Sequence, residues 1–249
     1  MNLKEMLRGA DLPVTPRHEK WLSENPSPEY SKEALAFASS VLRSDVGGNR
    51  RRSTHFRASS LGSCERKQMF SANKIKGINY IDSDLSNIFA TGNFMHLKWQ
   101  MAGLTEGWLS VAEFPVESKI WSFGGTLDGI LYDGSLFEYK SINPRGFSNV
   151  CEYGPKKDHI LQAHGYMHLA NLPAVSFVYE DKGSGDWREF RMERDREKED
   201  EILGIIERLS THYVEETYPE PLKKCLDKEG YVYRQCAFRD VCFEEGRGL

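Results

Sequence analysis

The chain has 249 residues, of which 33 are basic, 37 are acidic and 39% are hydrophobic. This composition supports a packed core, and the length fits one large domain with extensions. The net charge of −4 excludes a surface that is basic throughout, but it permits a local basic channel for nucleic acid. The sequence contains no run of about 18 apolar residues, which is the length needed to span a bilayer. Residues 1–13 also lack the pattern of a secretory signal, so we expect a soluble, cytoplasmic protein without membrane contacts.

Residues 1–58 are predicted to form an N-terminal helical extension and a basic linker. Helical patches at 3–7 and 31–42 alternate with segments that contain prolines, and proline interrupts the interior of helices. We interpret Pro13, Pro16, Pro26 and Pro28 as such breaks. The arginine run 50–52 is typical of solvated surface, with a DNA contact as the alternative. Residues 59–249 then form the main domain.

The main domain alternates helical and strand patterns without internal repeats. A capped helix start is predicted at 60–68, and further helices and strands follow it. The predicted helices are 84–103, 158–170 and 195–218, and the predicted strands are 111–119, 121–132, 136–142, 175–179 and 187–192. This order predicts an α/β fold with a mixed sheet flanked by helices.

The segment 124–140 carries the strongest chemical pattern. Glu138 and Lys140 are two residues apart on a predicted strand, so their side chains leave the same face. A simple ion pair is one reading of this arrangement. The other reading adds Asp128, because two carboxylates beside a lysine suit a divalent cation and a water molecule held by the amine.

The hairpin loop decides whether this site can form. A two-residue loop would place Asp128 and Glu138 on opposite faces of the sheet. A three-residue loop, 132–134, with Gly134 in the left-handed conformation, sets Asp128 opposite Glu138. We therefore predict the three-residue loop, with a cation between the two carboxylates and His96 approaching from its helix.

Two helix pairs flank this hairpin in the sequence. Gly92 and His96 are four residues apart on one predicted helix, and Gln162 and Tyr166 are four apart on another. This spacing places each pair on one helix face. His96 can offer a nitrogen to a metal, and Gly92 can permit a close backbone approach. Ordinary amphipathic positions are the alternative reading for each pair.

The five cysteines do not indicate a disulfide framework, because their number is odd and no export signal precedes them. Four thiolates can hold zinc or an iron-sulfur cluster, and inert thiols remain the alternative. The candidate ligands are Cys64, Cys225, Cys236 and Cys242. Cys151 stands apart and is predicted to be a free thiol.

Together these motifs resemble the RecB-like nucleases of the PD-(D/E)XK superfamily, in particular the iron-sulfur branch that includes CRISPR-associated exonucleases. The resemblance runs from about residue 60 to 242. Its motifs occur in the family order: Cys64-Glu65-Arg66, Gly92-x-x-x-His96, Gly125-x-x-Asp128-Gly129, Glu138-x-Lys140, Gln162-x-x-x-Tyr166 and Cys236-x-Phe-Arg-Asp-x-Cys242. One departure is the ten residues between Cys225 and Cys236, where the family usually has two.

The resemblance implies a restriction-endonuclease-like core with a cysteine-clasped C-terminus. It also implies that His96, Asp128 and Glu138 bind Mg²⁺ or Mn²⁺ and that Lys140 orients or activates the attacking water. Gln162 and Tyr166 would support the site and the substrate backbone. The four cysteines named above would hold a [4Fe-4S] cluster, with zinc as the alternative.

The implied activity is metal-dependent DNA exonuclease activity in recombination, repair or phage DNA metabolism. Its substrate would be DNA with free ends or single-stranded DNA, and recombination or replication proteins are possible partners. An endonuclease of the same superfamily and a non-catalytic, zinc-clasped DNA-binding module are the alternatives. The basic residues that could line a DNA groove are Arg50 to Arg52, Arg57, Lys119, Arg145, Lys156 and Lys157.

Overall fold

The computed structural model describes residues 12–46, 54–78 and 83–243. The predicted helix at 3–7 and the arginine run at 50–52 lie outside these ranges. The α-helices are α1 (Thr15–Glu24), α2 (Lys32–Val46), α3 (Glu65–Ala72), α4 (Ser83–Glu106), α5 (Pro144–Tyr153), α6 (Lys157–Ala170), α7 (Arg196–Val214), α8 (Tyr231–Arg234) and α9 (Arg239–Cys242). Within the described ranges, no helix is long and apolar enough to cross a membrane.

In the described part of the chain, six strands form one mixed sheet. They are β1 (Phe56–Arg57), β2 (Leu109–Ser118), β3 (Phe123–Leu131), β4 (Leu136–Ile142), β5 (Ala174–Asp181) and β6 (Trp187–Glu193). The order is β1-β3-β4-β5-β6, and β2 pairs with β3. The β1–β3 and β4–β5 pairs are parallel, and the other pairs are antiparallel. A parallel pair requires a crossover connection, which α5 and α6 supply between β4 and β5.

One edge of β3 is divided between two neighbours. β2 pairs with the other edge along almost the whole of β3. On the divided edge, β1 pairs with Phe123 and Gly124, and β4 pairs with Gly129 and Ile130. Residues 125–128 have no ladder partner on that edge. We call this opening, formed by residues 125–128 of β3 and 138–140 of β4, the fork.

The hairpin between β3 and β4 has the predicted register. Gly129 pairs with Phe137 and Ile130 with Leu136, and Gly134 adopts a φ of +82°. The three-residue loop is therefore confirmed. The ladder stops one pair before Asp128 and Glu138, however, so these two residues do not form the direct ladder pair that the register predicts.

Apolar side chains cover both faces of the sheet. The larger core lies under α6 and α7 and includes Phe177, Met167 and Ile206. The second core lies under α4, where Trp99 and Phe137 are fully buried. The sheet is therefore held between two helical layers, as the sequence predicts.

The N-terminal helix α1 corrects one prediction. Pro16 lies in the first turn of α1 and does not break a helix, because a proline there removes no helical hydrogen bond. The buried carboxylate of Glu189 on β6 accepts hydrogen bonds from the backbone N–H of Thr15 at 2.8 Å and from its hydroxyl at 3.0 Å. These bonds attach α1 to the edge of the sheet.

Five described elements are absent from the sequence prediction, namely α1, α5, α8, α9 and β1. Helix α5 begins after Asn143, whose side chain accepts the N–H of Gly146 at 2.7 Å, and Pro144 follows in the first turn. Strand β1 contains only two residues. The last long helix, α7, begins at the predicted position but ends at Val214, four residues before the predicted end at 218.

Candidate active site in the fork

Asp128 lies in the fork, and its side chain replaces the backbone acceptor that a neighbouring strand would offer to Tyr139. Its carboxylate accepts the backbone N–H of Tyr139 at 2.8 Å. Its carbonyl oxygen accepts a hydrogen bond from Gln100 at 2.8 Å. Burial raises the pKa of Asp128 to about 6, although the charge of Lys140 and the Tyr139 N–H oppose this change. The carboxyl group is therefore fixed in place but poorly solvated.

Glu138 is completely buried on β4. Its Oε1 accepts hydrogen bonds from Lys140 Nζ at 2.5 Å and from Gln162 Nε2 at 2.8 Å. Its Oε2 is buried without a hydrogen-bond partner in the described residues. Burial and the nearby charge of Asp128 together raise the pKa of Glu138 to about 7, against the opposing effect of Lys140.

Lys140 connects the two carboxylates electrostatically. Burial lowers the pKa of its amine, but Glu138 and Asp128 raise it, and the net pKa lies above its ordinary value. Nζ also lies 3.4 Å from Gln162 Oε1. Lys140 is therefore a firmly protonated amine within the same site as both carboxyl groups.

His96 faces this site from α4. Its ring stacks on Tyr139, with 5.5 Å between ring centroids and an interplanar angle of 20°. His96 Nε2 lies 3.5 Å from Asp128 Oδ2 and has no hydrogen-bond partner in the part of the chain that the structure describes. Burial lowers the pKa of His96 despite the nearby carboxylates Glu113 and Glu138. A neutral imidazole can donate a lone pair to a metal.

The two flanking glycines permit close packing at the fork. A Cβ atom on Gly92 would lie 3.3 Å from Ser141 Oγ, which explains how α4 approaches the end of β4. A Cβ atom on Gly125 would lie 2.9 Å from the Tyr166 hydroxyl. Tyr166 also hydrogen bonds with Gln162, and burial raises the pKa of its phenol. All five predicted catalytic residues and His96 therefore converge on the fork.

Sequence reasoning missed several residues around the site. Glu113 on β2 has a φ of +52°, and its charge raises the pKa values of His96 and Asp128. Gln100 donates to Glu113 at 3.1 Å as well as to Asp128. Neither residue belongs to a motif with fixed spacing, so only the strand geometry reveals them. Tyr139, buried between Glu138 and Lys140 on β4, is a further such residue.

The fork contains carboxylate oxygens and an imidazole nitrogen, which are atom types that bind divalent cations. In residues 12–46, 54–78 and 83–243, no three His, Cys, Asp or Glu side chains are close enough to form a ready-made metal site. Two buried donor atoms, Glu138 Oε2 and His96 Nε2, nevertheless lack partners next to the carboxylate of Asp128. Buried polar atoms are normally satisfied, and both of these atoms are of a kind that can bind a divalent cation.

Three candidate cysteine ligands lie in the C-terminal tail, and the fourth, Cys64, lies just before α3. Burial raises the pKa of Cys225, and the neighbouring Cys64 and Cys236 raise it further. Burial also raises the pKa of Cys242, and Cys236 and Cys64 raise it further against the opposing effect of Arg66. Cys64 and Cys236 are therefore within electrostatic range of both Cys225 and Cys242, but no three described cysteines are close enough to form a ready-made metal site. Cys151 is exposed and takes no part in this group.

The basic residues that could line a DNA groove are exposed where the structure describes them, namely Arg57, Lys119, Arg145, Lys156 and Lys157. Arg57 lies near enough to the Tyr166 phenol to lower its pKa, against the larger effect of burial. Lys157 is paired with Glu201 at 3.0 Å. Among the predicted groove residues, Arg57 is therefore close enough to interact electrostatically with a residue of the fork, Tyr166.

Comparisons with known proteins identify the fold. No protein-family model and no curated protein matches the chain. The alkaline exonuclease LHK-Exo from Laribacter hongkongensis matches with a TM-score of 0.50 and 19% identity, over 66% of this chain and 92% of that chain. A crystal structure of LHK-Exo in complex with dAMP matches with a TM-score of 0.54 and 18% identity, over 66% and 90%. The predicted α/β fold, with its mixed sheet flanked by helices, is confirmed.

Proposed function

We propose that the chain is a metal-dependent DNA exonuclease that acts in recombination, repair or phage DNA metabolism. The observation that carries this proposal is the buried group of Asp128, Glu138 and His96 beside the protonated amine of Lys140. Two of its donor atoms lack partners in the described part of the chain. The similarity in fold to an alkaline exonuclease supports the same reaction class.

Each residue of the fork has a different proposed role in phosphodiester hydrolysis. Asp128, Glu138 and His96 would hold Mg²⁺ or Mn²⁺, which supplies a nucleophile from water and relieves charge on the phosphate. Lys140 donates hydrogen bonds, so it can orient the attacking water or stabilise negative charge on the scissile phosphate. Gln162 keeps Glu138 Oε1 in place through its bond of 2.8 Å.

Tyr166 and Arg57 are the proposed contacts to the DNA backbone at the fork. Tyr166 packs against Gly125, where β3 lacks a ladder partner on the open edge. Arg57 supplies positive charge nearby, and phosphate neutralisation by such residues accounts for much of nucleic-acid affinity. The net negative charge of the chain is compatible with a local groove of this kind.

We also propose that Cys64, Cys225, Cys236 and Cys242 hold a [4Fe-4S] cluster, with zinc as the alternative. The effects of Cys64 and Cys236 on the pKa values of Cys225 and Cys242 support this ligand set. Cys64 precedes α3, whereas the other three belong to the tail. The cluster would therefore be structural, because it joins segments distant in sequence and its binding energy is coupled to folding.

Cleavage of matched DNA substrates tests the proposed activity. Purified protein is incubated with linear DNA and with covalently closed circular DNA, in Mn²⁺ or in EDTA. An exonuclease degrades only the linear substrate, and only with the metal. Cleavage of closed circles would indicate an endonuclease. DNA binding without hydrolysis of either substrate would indicate the non-catalytic module and overturn the proposal.

A further inference from the structure

A buried carboxylate lies behind the fork, outside the proposed metal ligands. Glu180 on β5 is only 3% exposed. Its Oε2 accepts hydrogen bonds from Trp99 Nε1 at 2.5 Å and from the Tyr139 hydroxyl at 2.8 Å. Its Oε1 accepts a hydrogen bond from Lys98 Nζ at 2.7 Å. Three donors therefore hold one buried carboxylate in a fixed position.

This network joins the helix that carries His96 to the strand that carries Glu138. Trp99 is three residues after His96 on α4, so the two side chains are neighbours on the helix surface. Tyr139 is adjacent to Glu138 on β4. Glu180 accepts hydrogen bonds from both Trp99 and Tyr139, so it fixes the separation between α4 and β4 at the level of the fork.

Tyr139 connects the network to each proposed metal ligand. Its backbone N–H donates to the Asp128 carboxylate at 2.8 Å, and its ring stacks on His96 at 5.5 Å between centroids. The preceding residue, Glu138, directs its side chain to the other face of the sheet, where it accepts a hydrogen bond from Gln162. A displacement of the Tyr139 ring would therefore change the position of His96 relative to Asp128.

We propose that Glu180 is a positioning residue that, through Tyr139 and Trp99, holds His96 beside Asp128 for metal binding. This inference rests on the proposed function for its metal site. Residues that hydrogen bond to metal-binding groups orient them, and their mutation typically lowers metal affinity or activity about 10- to 100-fold. Here the orientation is indirect, because the carboxylate holds a phenol that packs against the imidazole.

Two variants test this role, with a third as the control. Tyr139→Phe removes the hydroxyl that Glu180 binds but keeps the ring that stacks on His96. Glu180→Gln retains the shape of the side chain and removes its charge. Tyr132→Phe removes an equivalent hydroxyl from a side chain that is 68% exposed and distant from Glu180 in the chain.

The dissociation constant for Mn²⁺ is measured on the full chain by electron paramagnetic resonance, together with the metal-free melting temperature. We expect Tyr139→Phe and Glu180→Gln to weaken Mn²⁺ binding by about tenfold or more, and Tyr132→Phe to leave it unchanged. If Glu180→Gln fails to fold, Tyr139→Phe decides the question. A lower melting temperature with an unchanged dissociation constant would show a purely structural role and overturn the inference.

The outcomes also separate this inference from the proposed function. If wild-type protein binds Mn²⁺ but hydrolyses no DNA, the proposed function fails, and the comparison of dissociation constants still tests Glu180. If wild-type protein binds no Mn²⁺, the positioning role is overturned. DNA cleavage by Tyr139→Phe is measured at increasing Mn²⁺ concentrations. If a high Mn²⁺ concentration restores cleavage, the defect of this variant lies in metal binding, as the inference requires.

Discussion

The backbone N–H of Tyr139 donates to the carboxylate of Asp128 at 2.8 Å, where the ladder between β3 and β4 has already ended. The side chain of Asp128 therefore satisfies a strand N–H that would otherwise be unpaired, and the two strands can separate without leaving it unsatisfied. This separation opens the fork and brings the Asp128 carboxylate close to Glu138, Lys140 and His96.

The pKa values in the fork predict how Mn²⁺ affects stability at different pH values. The pKa of Glu138 is raised to about 7 and that of Asp128 to about 6. Because both lie above their ordinary values, the folded protein binds these protons more tightly than the unfolded chain does. The resulting stabilisation is present below about pH 4 and is lost as the pH rises through about 6 and 7.

Mn²⁺ should therefore stabilise the protein most where both carboxyl groups are ionised. At about a hundredfold excess over its dissociation constant, the metal should raise the melting temperature by roughly 5 to 10 °C near pH 8. Near pH 5 we expect a much smaller rise, because protons occupy the carboxyl groups. Differential scanning calorimetry measures both values, and an equal rise at the two pH values would contradict a metal site in the fork.

The sequence predicted which residues meet in the fork, but it did not predict where the ladder between β3 and β4 ends. Gly134 specifies the three-residue loop, and the loop specifies the register that brings Asp128 to Glu138. The end of the ladder could not be predicted, because it depends on the carboxylate of Asp128 binding a backbone N–H. Glu113 was missed for a similar reason, since its left-handed conformation interrupts the regular pairing of β2 with β3 and belongs to no local sequence motif.

The missed helix α5 had a readable signal. Asn143 followed by Pro144 is a typical helix start, and the Asn143 side chain indeed caps the helix. The following residues include Gly146 and Ser148, which are weak helix formers. Strand β1 had no such signal, because two residues are too short for an alternating pattern.

Two glycine substitutions should separate damage to the site from damage to the fold. A Cβ atom on Gly125 would lie 2.8 Å from Tyr166 Cε1, so Gly125→Ala should displace the ring and slow DNA hydrolysis about tenfold or more. Gly134→Ala meets no atom within 4 Å, but its φ of +82° should cost about 1 to 2 kcal/mol of stability.

Both variants are measured by chemical denaturation and by nuclease assay at a temperature where each is folded. Folded Gly134→Ala should keep the register of the hairpin and the wild-type rate, since the added Cβ atom meets no other residue within 4 Å. Equal rates for the two variants would show that the packing of Tyr166 on Gly125 does not matter for hydrolysis.

The cysteine group predicts a coloured, iron-containing protein. Cys242→Ser should remove the broad visible absorbance and most of the iron from anaerobically purified protein, and it should lower the melting temperature. Cys151→Ser serves as the matched control, because its thiol is exposed and apart from the group. Colourless protein with stoichiometric zinc would contradict the iron-sulfur cluster but not the nuclease activity.

The most direct test of the central proposal is the rate at which Glu138→Gln releases nucleotides from end-labelled linear DNA in Mn²⁺. The substitution keeps the buried volume but removes a proposed metal ligand charge, so we expect a loss of about a thousandfold, equivalent to about 4 kcal/mol. Glu193→Gln makes the same chemical change at an exposed site on β6 and should retain the wild-type rate. Near wild-type hydrolysis by folded Glu138→Gln would contradict the assignment of the fork as the active site.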